Sequence, residues 1–83
     1  MRLFDLSHNQ FPDILRLANA GDKVLLRQEA VYLMTTGQLN QLPCSVYCLT
    51  TDAAVRGVKI SEPFTALSDN QWLNLVLHAK QLL

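Results

Sequence analysis

The chain has 83 residues, 49% of them hydrophobic and 17% charged, with seven basic and seven acidic side chains and a formal net charge of zero. That length accommodates one small domain, and neutrality without a basic run excludes a protein that grips nucleic acid by its own electrostatics. The charged share falls below the usual level of about a quarter. In a domain with so little interior, this leaves apolar side chains over for contact with another chain.

Asp5 interrupts the first apolar stretch, so no signal-peptide core is expected there. The apolar-rich tail from Trp72 to Leu83 is broken by Asn74, His78, Lys80 and Gln81 and is too short to span a bilayer. A cytoplasmic protein without a membrane partner is the expectation.

Arg2 to Ser7 reads as a first strand, followed by the polar connection Ser7-His8-Asn9-Gln10. Phe11, Ile14, Leu15 and Ala18 then fall at i, i+3, i+4 and i+7, one face of an amphipathic helix. Pro12 and Asp13 suit its first turn, and Gly21 is placed to end it in a left-handed cap. The unbroken apolar run Val24-Leu25-Leu26 fits an inner strand of a parallel sheet. Arg27-Gln28-Glu29 stops that run, and helical spacing resumes with Val31, Met34 and Thr35 until Gly37.

Gln38 to Leu42 is a connection, and Pro43 fits the edge of a third strand, Cys44 to Leu49. Thr50-Thr51-Asp52 offers N-cap chemistry for a short helix, Asp52 to Arg56, closed by Gly57. Phe64 to Leu67 reads as a fourth strand, because Ser68-Asp69-Asn70-Gln71 looks like a capping box opening a last helix. That helix is expected to run to about Leu82. It carries Trp72, Leu73, Leu75, Val76, Leu77 and Ala79 around most of its girth, which predicts cover on more than one side. The alternation predicts a single α/β domain over residues 1–83, a small parallel four-stranded sheet with helices on both faces.

In such a sheet, ligands and partners sit at the carboxyl ends of the strands. The loops there are Ser7-His8-Asn9, Arg27-Gln28-Glu29, Thr50-Thr51-Asp52 and Ser68-Asp69-Asn70, and helix capping alone accounts for much of their polarity. No glycine follows the first strand, so neither a dinucleotide fold nor a P-loop can cradle phosphate there. His8 has no evident nucleophile beside it, and His78 lies mid-helix.

Cys44 and Cys48 are four residues apart in strand geometry, which separates their Cα atoms by roughly 13 Å. A disulfide needs about 7 Å or less. With no histidine nearby they make no zinc site, and both read as buried structural thiols. No catalytic constellation, cofactor or metal is expected. His8, Gln28, Glu29 and Tyr32 stand as the candidate functional loop residues.

Taken in order, LSHNQF, GDKVLLRQEAVY, VYCLTTDAAVRGV and LSDNQWLNLVLHAK resemble the TusB/DsrH family across nearly the whole chain. Leu25-Leu26, Gln28, Glu29, Ala30, Val31 and Tyr32 occupy the family's central signature, and Arg27 stands where another leucine is common. The resemblance implies a DsrE-like, or flavodoxin-like three-layer, fold. It also implies a non-catalytic subunit that assembles with TusC-like and TusD-like sisters, passes persulfide sulfur toward 2-thiolation of the tRNA wobble uridine, and meets tRNA only indirectly.

The first-helix cysteine carried by some DsrH-type members has no counterpart around Ile14. Ala30 replaces a common glycine, and the chain stops at Leu82-Leu83 in place of a tail ending in tryptophan, which implies a different docking of the terminus.

Three alternatives stand beside this reading: a DsrH-like subunit of a sulfur-oxidation complex, a thiol carrier using Cys48 or Cys44, and a homo-oligomeric ligand-binding domain using Gln28, Glu29 and Tyr32. The last helix, through Trp72, Leu73 and Leu77, is the expected subunit interface, with Trp72 as plain core the equal alternative, and self-association or poor solubility of the isolated chain is the corollary.

Overall fold

The computed structural model describes residues 2–79 and 81–82. Five parallel strands form one sheet: β1 (Arg2–Leu6), β2 (Lys23–Leu26), β3 (Ser45–Leu49), β4 (Thr65–Leu67) and β5 (Gln81–Leu82), in the order β4-β3-β2-β1-β5. Val24, Leu25 and Leu26 of β2 are all fully buried, as an inner strand covered on both faces requires. β5 extends the expected four-stranded sheet by a short edge strand, pairing Arg2 with Gln81 and Leu3 with Leu82.

The strand order dictates where the helices go. From β1 through β4 each step moves the same way across the sheet, so right-handed crossovers place every connection on one face. The step from β4 to β5 runs back across the whole sheet and must pass over the other face. The packing agrees. On the first face, Phe4, Val24, Leu26, Val46 and Cys48 meet Leu15, Val31, Leu33 and Leu39 from three 3-10 helices (Asp13–Leu17, Gln28–Thr35 and Gln38–Gln41) and Ala53 of α1 (Thr50–Val55). On the second face, Leu3, Leu25, Leu49 and Leu67 meet Trp72, Leu75 and Val76 of α2 (Asp69–His78), followed by Ala79.

Several expectations need correction. The segment read as a helix over Phe11–Ala18 is a five-residue 3-10 helix, entered from Pro12. With three residues per turn instead of 3.6, Ile14 and Leu17 eclipse each other and point outward, while Leu15 and Ala18 are buried. That helix ends before Gly21, which sits in a turn; the left-handed glycines are Gly37 (φ 78°) and Gly57 (φ 67°). Thr50-Thr51-Asp52 does not cap α1. Leu49 is the N-cap and makes no side-chain bond, while Thr50 Oγ1 donates to the Leu67 carbonyl at 3.0 Å.

The capping box of α2 is present: Ser68 Oγ accepts the Gln71 N–H, and Gln71 Oε1 accepts the Ser68 N–H. The helix stops at His78 instead of Leu82, because Ala79 is extended and Gln81–Leu82 join the sheet beside β1. Lys80 and Leu83, which fell within or beside that expected helix, lie outside the described residues, as does Met1. No residue of α2 is fully buried, and Leu73 and Leu77 are 57% and 70% exposed, so the helix is covered on one side only.

Among the described residues no helix is long and apolar enough to cross a membrane.

Candidate functional site at the strand-order reversal

The connections after β3 and after β4 leave on opposite faces, toward α1 and α2 respectively. A crevice therefore opens between the carboxyl ends of these two strands, the position where open α/β sheets bind ligands. It is a cleft of about 520 Å³ lined by Leu49, Thr51 and Asp52 beyond β3, by Asp69, Asn70, Trp72 and Leu73 of α2, and by Arg27 and Gln28 beyond β2.

Arg27 is the best-anchored group in it. Its Nε and Nη2 donate to the two carboxylate oxygens of Asp5 at 2.7 and 3.0 Å, and its guanidinium carbon lies 5.1 Å from the centroid of the Trp72 ring. The Asp5 hydrogen bonds push the Arg27 pKa up further, so the charge stays on the guanidinium. Trp72 Nε1 is buried without a hydrogen-bond partner among the described residues.

Gln28 has φ 50°, in the left-handed region that a non-glycine residue occupies at a cost of about 1–2 kcal/mol. The Asp52 carboxylate holds this turn by accepting the Gln28 N–H at 2.9 Å. Asp52 also lies 3.8 Å from Arg56, whose other terminal nitrogen is 4.0 Å from Glu29. Gln28, Glu29, Asp52 and Arg56 thus form one polar cluster over the ends of β2 and β3.

The other expected loop residues do not join them in one cavity. His8 lines a separate cleft of about 640 Å³ over the end of β1, with Asp5, Asn9, Gln10 and Gln38, and its Nδ1 lies 3.3 Å from Ser7 Oγ. Tyr32 is half-buried in the Gln28–Thr35 helix and lines neither cleft. Of the expected interface residues, Leu73 and Leu77 point outward, while Trp72 packs inward against the second face of the sheet.

The Asp5–Arg27 pair is the feature that residue-by-residue reading missed. Its signal was nonetheless present, as one acid inside the first apolar strand and one base ending the second.

Both cysteines are buried on the first face, away from the cleft. Burial, reinforced by the charge of Asp52, pushes the Cys48 thiol up to about 11, and burial also raises Cys44. Cys44 borders a small cavity of about 270 Å³ at the opposite, amino end of β3. Among the described residues, no three His, Cys, Asp or Glu side chains gather into a group able to hold a metal ion.

The family model for DsrH-like proteins matches residues 5–82, nearly the whole chain. The chain belongs to the DsrH family. Membership places this DsrH-family protein among the subunits of multi-subunit sulfur relays. Its fold is similar to that of protein Tm0979 from Thermotoga maritima, determined by solution NMR. The two share 24% identity with a TM-score of 0.63, over 93% of this chain and 92% of that one, a likeness that speaks to the fold alone. No curated protein matches the chain. In this DsrH-family chain Arg27 carries the ion pair to Asp5.

Proposed function

We propose that this DsrH-family chain is an accessory, non-catalytic subunit of a cytoplasmic sulfur relay that serves 2-thiolation of the tRNA wobble uridine. It works by assembly with TusC-like and TusD-like sister chains of the same fold and touches tRNA only through them. The observation that carries the non-catalytic part is the state of the thiols. A relay cysteine must reach a partner's persulfide as a thiolate, and both cysteines here are buried with raised pKa values. The same fact weighs against Cys48 or Cys44 as a sulfur carrier.

The outward leucines of α2 support an interface role for that helix, and the polar cluster around Gln28 and Glu29 is the surface proposed to meet the sulfur-carrying sister, with His8 in the separate cleft beyond β1 and Tyr32 on the Gln28–Thr35 helix as further candidates. The test is a deletion strain, with tRNA digested to nucleosides and 2-thiouridine derivatives quantified by mass spectrometry. Loss of the thiolated nucleoside, restored by the wild-type chain and by a Cys44→Ser/Cys48→Ala double variant, is the expected result. Unchanged thiolation in the deletion strain overturns the tRNA assignment. Failure of the cysteine-free variant to complement, while still folded, overturns the non-catalytic one.

A further inference from the structure

The two layers on the sheet are held in different ways. On the first face the helical layer is interlocked, because Leu15, Val31, Leu33, Leu39 and Ala53 are themselves buried in the core they share with the strands. Polar bonds tie that layer together as well: the Asp52 carboxylate of α1 accepts the N–H of Gln28, which opens the Gln28–Thr35 helix.

On the second face the buried core residues Leu3, Leu25, Leu49 and Leu67 all come from strands, and α2 contributes none. Trp72, Leu75 and Val76 rest on them only half-buried. Among the described residues no hydrogen bond or ion pair joins α2 to another element. Its side-chain bonds link Gln71 with Ser68 and His78 with Asn74, within the helix and its cap. What reaches across is the Arg27 guanidinium, 5.1 Å from the centroid of the Trp72 ring.

The two ends of this segment differ. At its start β4 is fixed, since Leu67 is buried and its carbonyl accepts from Thr50 Oγ1 at 3.0 Å. Ser68 follows as an exposed N-cap with extended backbone. At its end β5 holds on by two residue pairs at the edge of the sheet, Gln81 with Arg2 and Leu82 with Leu3.

We propose that α2 and β5 form a strap that lifts off the second face as one unit, hinged at Ser68, and so opens the cleft at the ends of β3 and β4 while the rest of the fold stays intact. Segments with little buried apolar contact and few outside bonds are the ones that open below the free energy of global unfolding. α2 supplies Asp69, Asn70, Trp72 and Leu73 to the cleft, so lifting the strap removes a whole wall of it. Arg27, held by Asp5, is the latch on the sheet side, and Trp72 is its counterpart on the strap. This motion belongs to the chain by itself and is independent of any sulfur-relay role.

Amide hydrogen exchange on the full chain, read by NMR across a urea series below the unfolding transition, tests it. α2 has 10 residues, fewer than the roughly 12–15 that a helix without packing needs in water, so its amides lose protection when it lifts. The amides of α2 and β5 are expected to share one opening, about tenfold or more easier than that of β2 and β3, with a smaller urea dependence.

Val31→Ala gives the sharper contrast. Val31 is fully buried on the first face, and its surroundings do not change when the strap lifts. The variant is expected to speed exchange in β2 and β3 about tenfold or more and to leave α2 unchanged, because the closed and lifted states lose that packing alike. Should Val31→Ala not fold, the urea series on wild type decides alone. The proposal is overturned if α2 shares the protection and urea slope of β2 and β3, or speeds up with them in Val31→Ala. It is also overturned if the α2 amides open one by one without a urea slope, which is fraying and not the lifting of a unit.

Discussion

Asp5 on β1 and Arg27, the residue that follows β2, close a two-bond, side-on ion pair beside Trp72 of α2. Their side chains are only 16% and 24% exposed, so each charge depends on the other for most of its solvation. Arg27→Leu is expected to destabilise the protein by about 2 kcal/mol, because Asp5 is left without its partner in a poorly hydrated site. Adding Asp5→Leu is expected to recover most of that loss. Urea unfolding of both single variants and the double variant measures the coupling; equal costs for the single Arg27 variant and the pair would rule it out.

Trp72 offers a sharper contrast. Its ring packs on the sheet and on Arg27, but its buried Nε1 has no partner among the described residues. Trp72→Phe keeps an aromatic face for the guanidinium and removes the orphaned donor, so the change in stability is expected to stay within about 1 kcal/mol of zero. Trp72→Ala removes the packing as well and is expected to cost about 2 kcal/mol, below the range for fully buried aromatics because the ring is half-buried. If phenylalanine proves as damaging as alanine by thermal unfolding, the indole nitrogen is bonded after all.

At the amino end of the sheet, Asp22 ties β2 back to β1. Its carboxylate accepts from Arg2 Nε and Nη2 and from the main-chain N–H groups of Asn19 and Arg2. The Arg2 side-chain bonds, followed by that of Asn19, hold its pKa down from 3.8 to about 2. Because the folded value lies below the unfolded one, this contribution to stability is complete above roughly pH 4. It is lost as pH falls toward 2. Asp22→Asn is expected to lower the midpoint of urea unfolding at pH 7 and to flatten the stability profile between pH 4 and 2. An unchanged acid slope in the variant would assign that slope to other carboxylates.

The thiols give a direct chemical readout. With Cys48 pushed up to about 11 and Cys44 raised by burial, neither is expected to be alkylated by iodoacetamide at pH 7.5 over minutes in the native protein, while both react in urea. Intact-mass spectrometry reports the number of adducts. Rapid native labelling of Cys48 would contradict its burial.

Local chemistry made the strands legible, and the long-range geometry stayed hidden. Val24-Leu25-Leu26 can be read as an inner strand because no other element tolerates three successive apolar residues buried on alternating sides. Ser68 and Gln71 announce α2 because both halves of their reciprocal bond are written within four residues. Ile14 misled for the opposite reason: its spacing fits an α-helical face, yet the 3-10 turn after Pro12 rotates it outward. The fate of Gln81 and Leu82 depends on Arg2 and Leu3, at the far end of the chain, and no local pattern carries that pairing. The candidate site was legible as a set of loops. The cleft itself follows from strand order, which sets α1 and α2 on opposite faces.

The long return from β4 to β5 also sets the timetable of folding on the ribosome. β1, β2, β3 and β4 emerge in the order in which they pair, so each can add to a growing edge. The outer edge of β1 waits, although β1 is made first, because its partner arrives only after α2 has been carried over the far face. Throughout that interval the nascent chain presents an open strand edge and uncovered Leu3 and Leu25, which is the kind of surface that chaperones protect and that aggregation exploits. The pairing of Gln81 and Leu82 with Arg2 and Leu3 spans nearly the whole chain, which makes it the most non-local contact of the sheet.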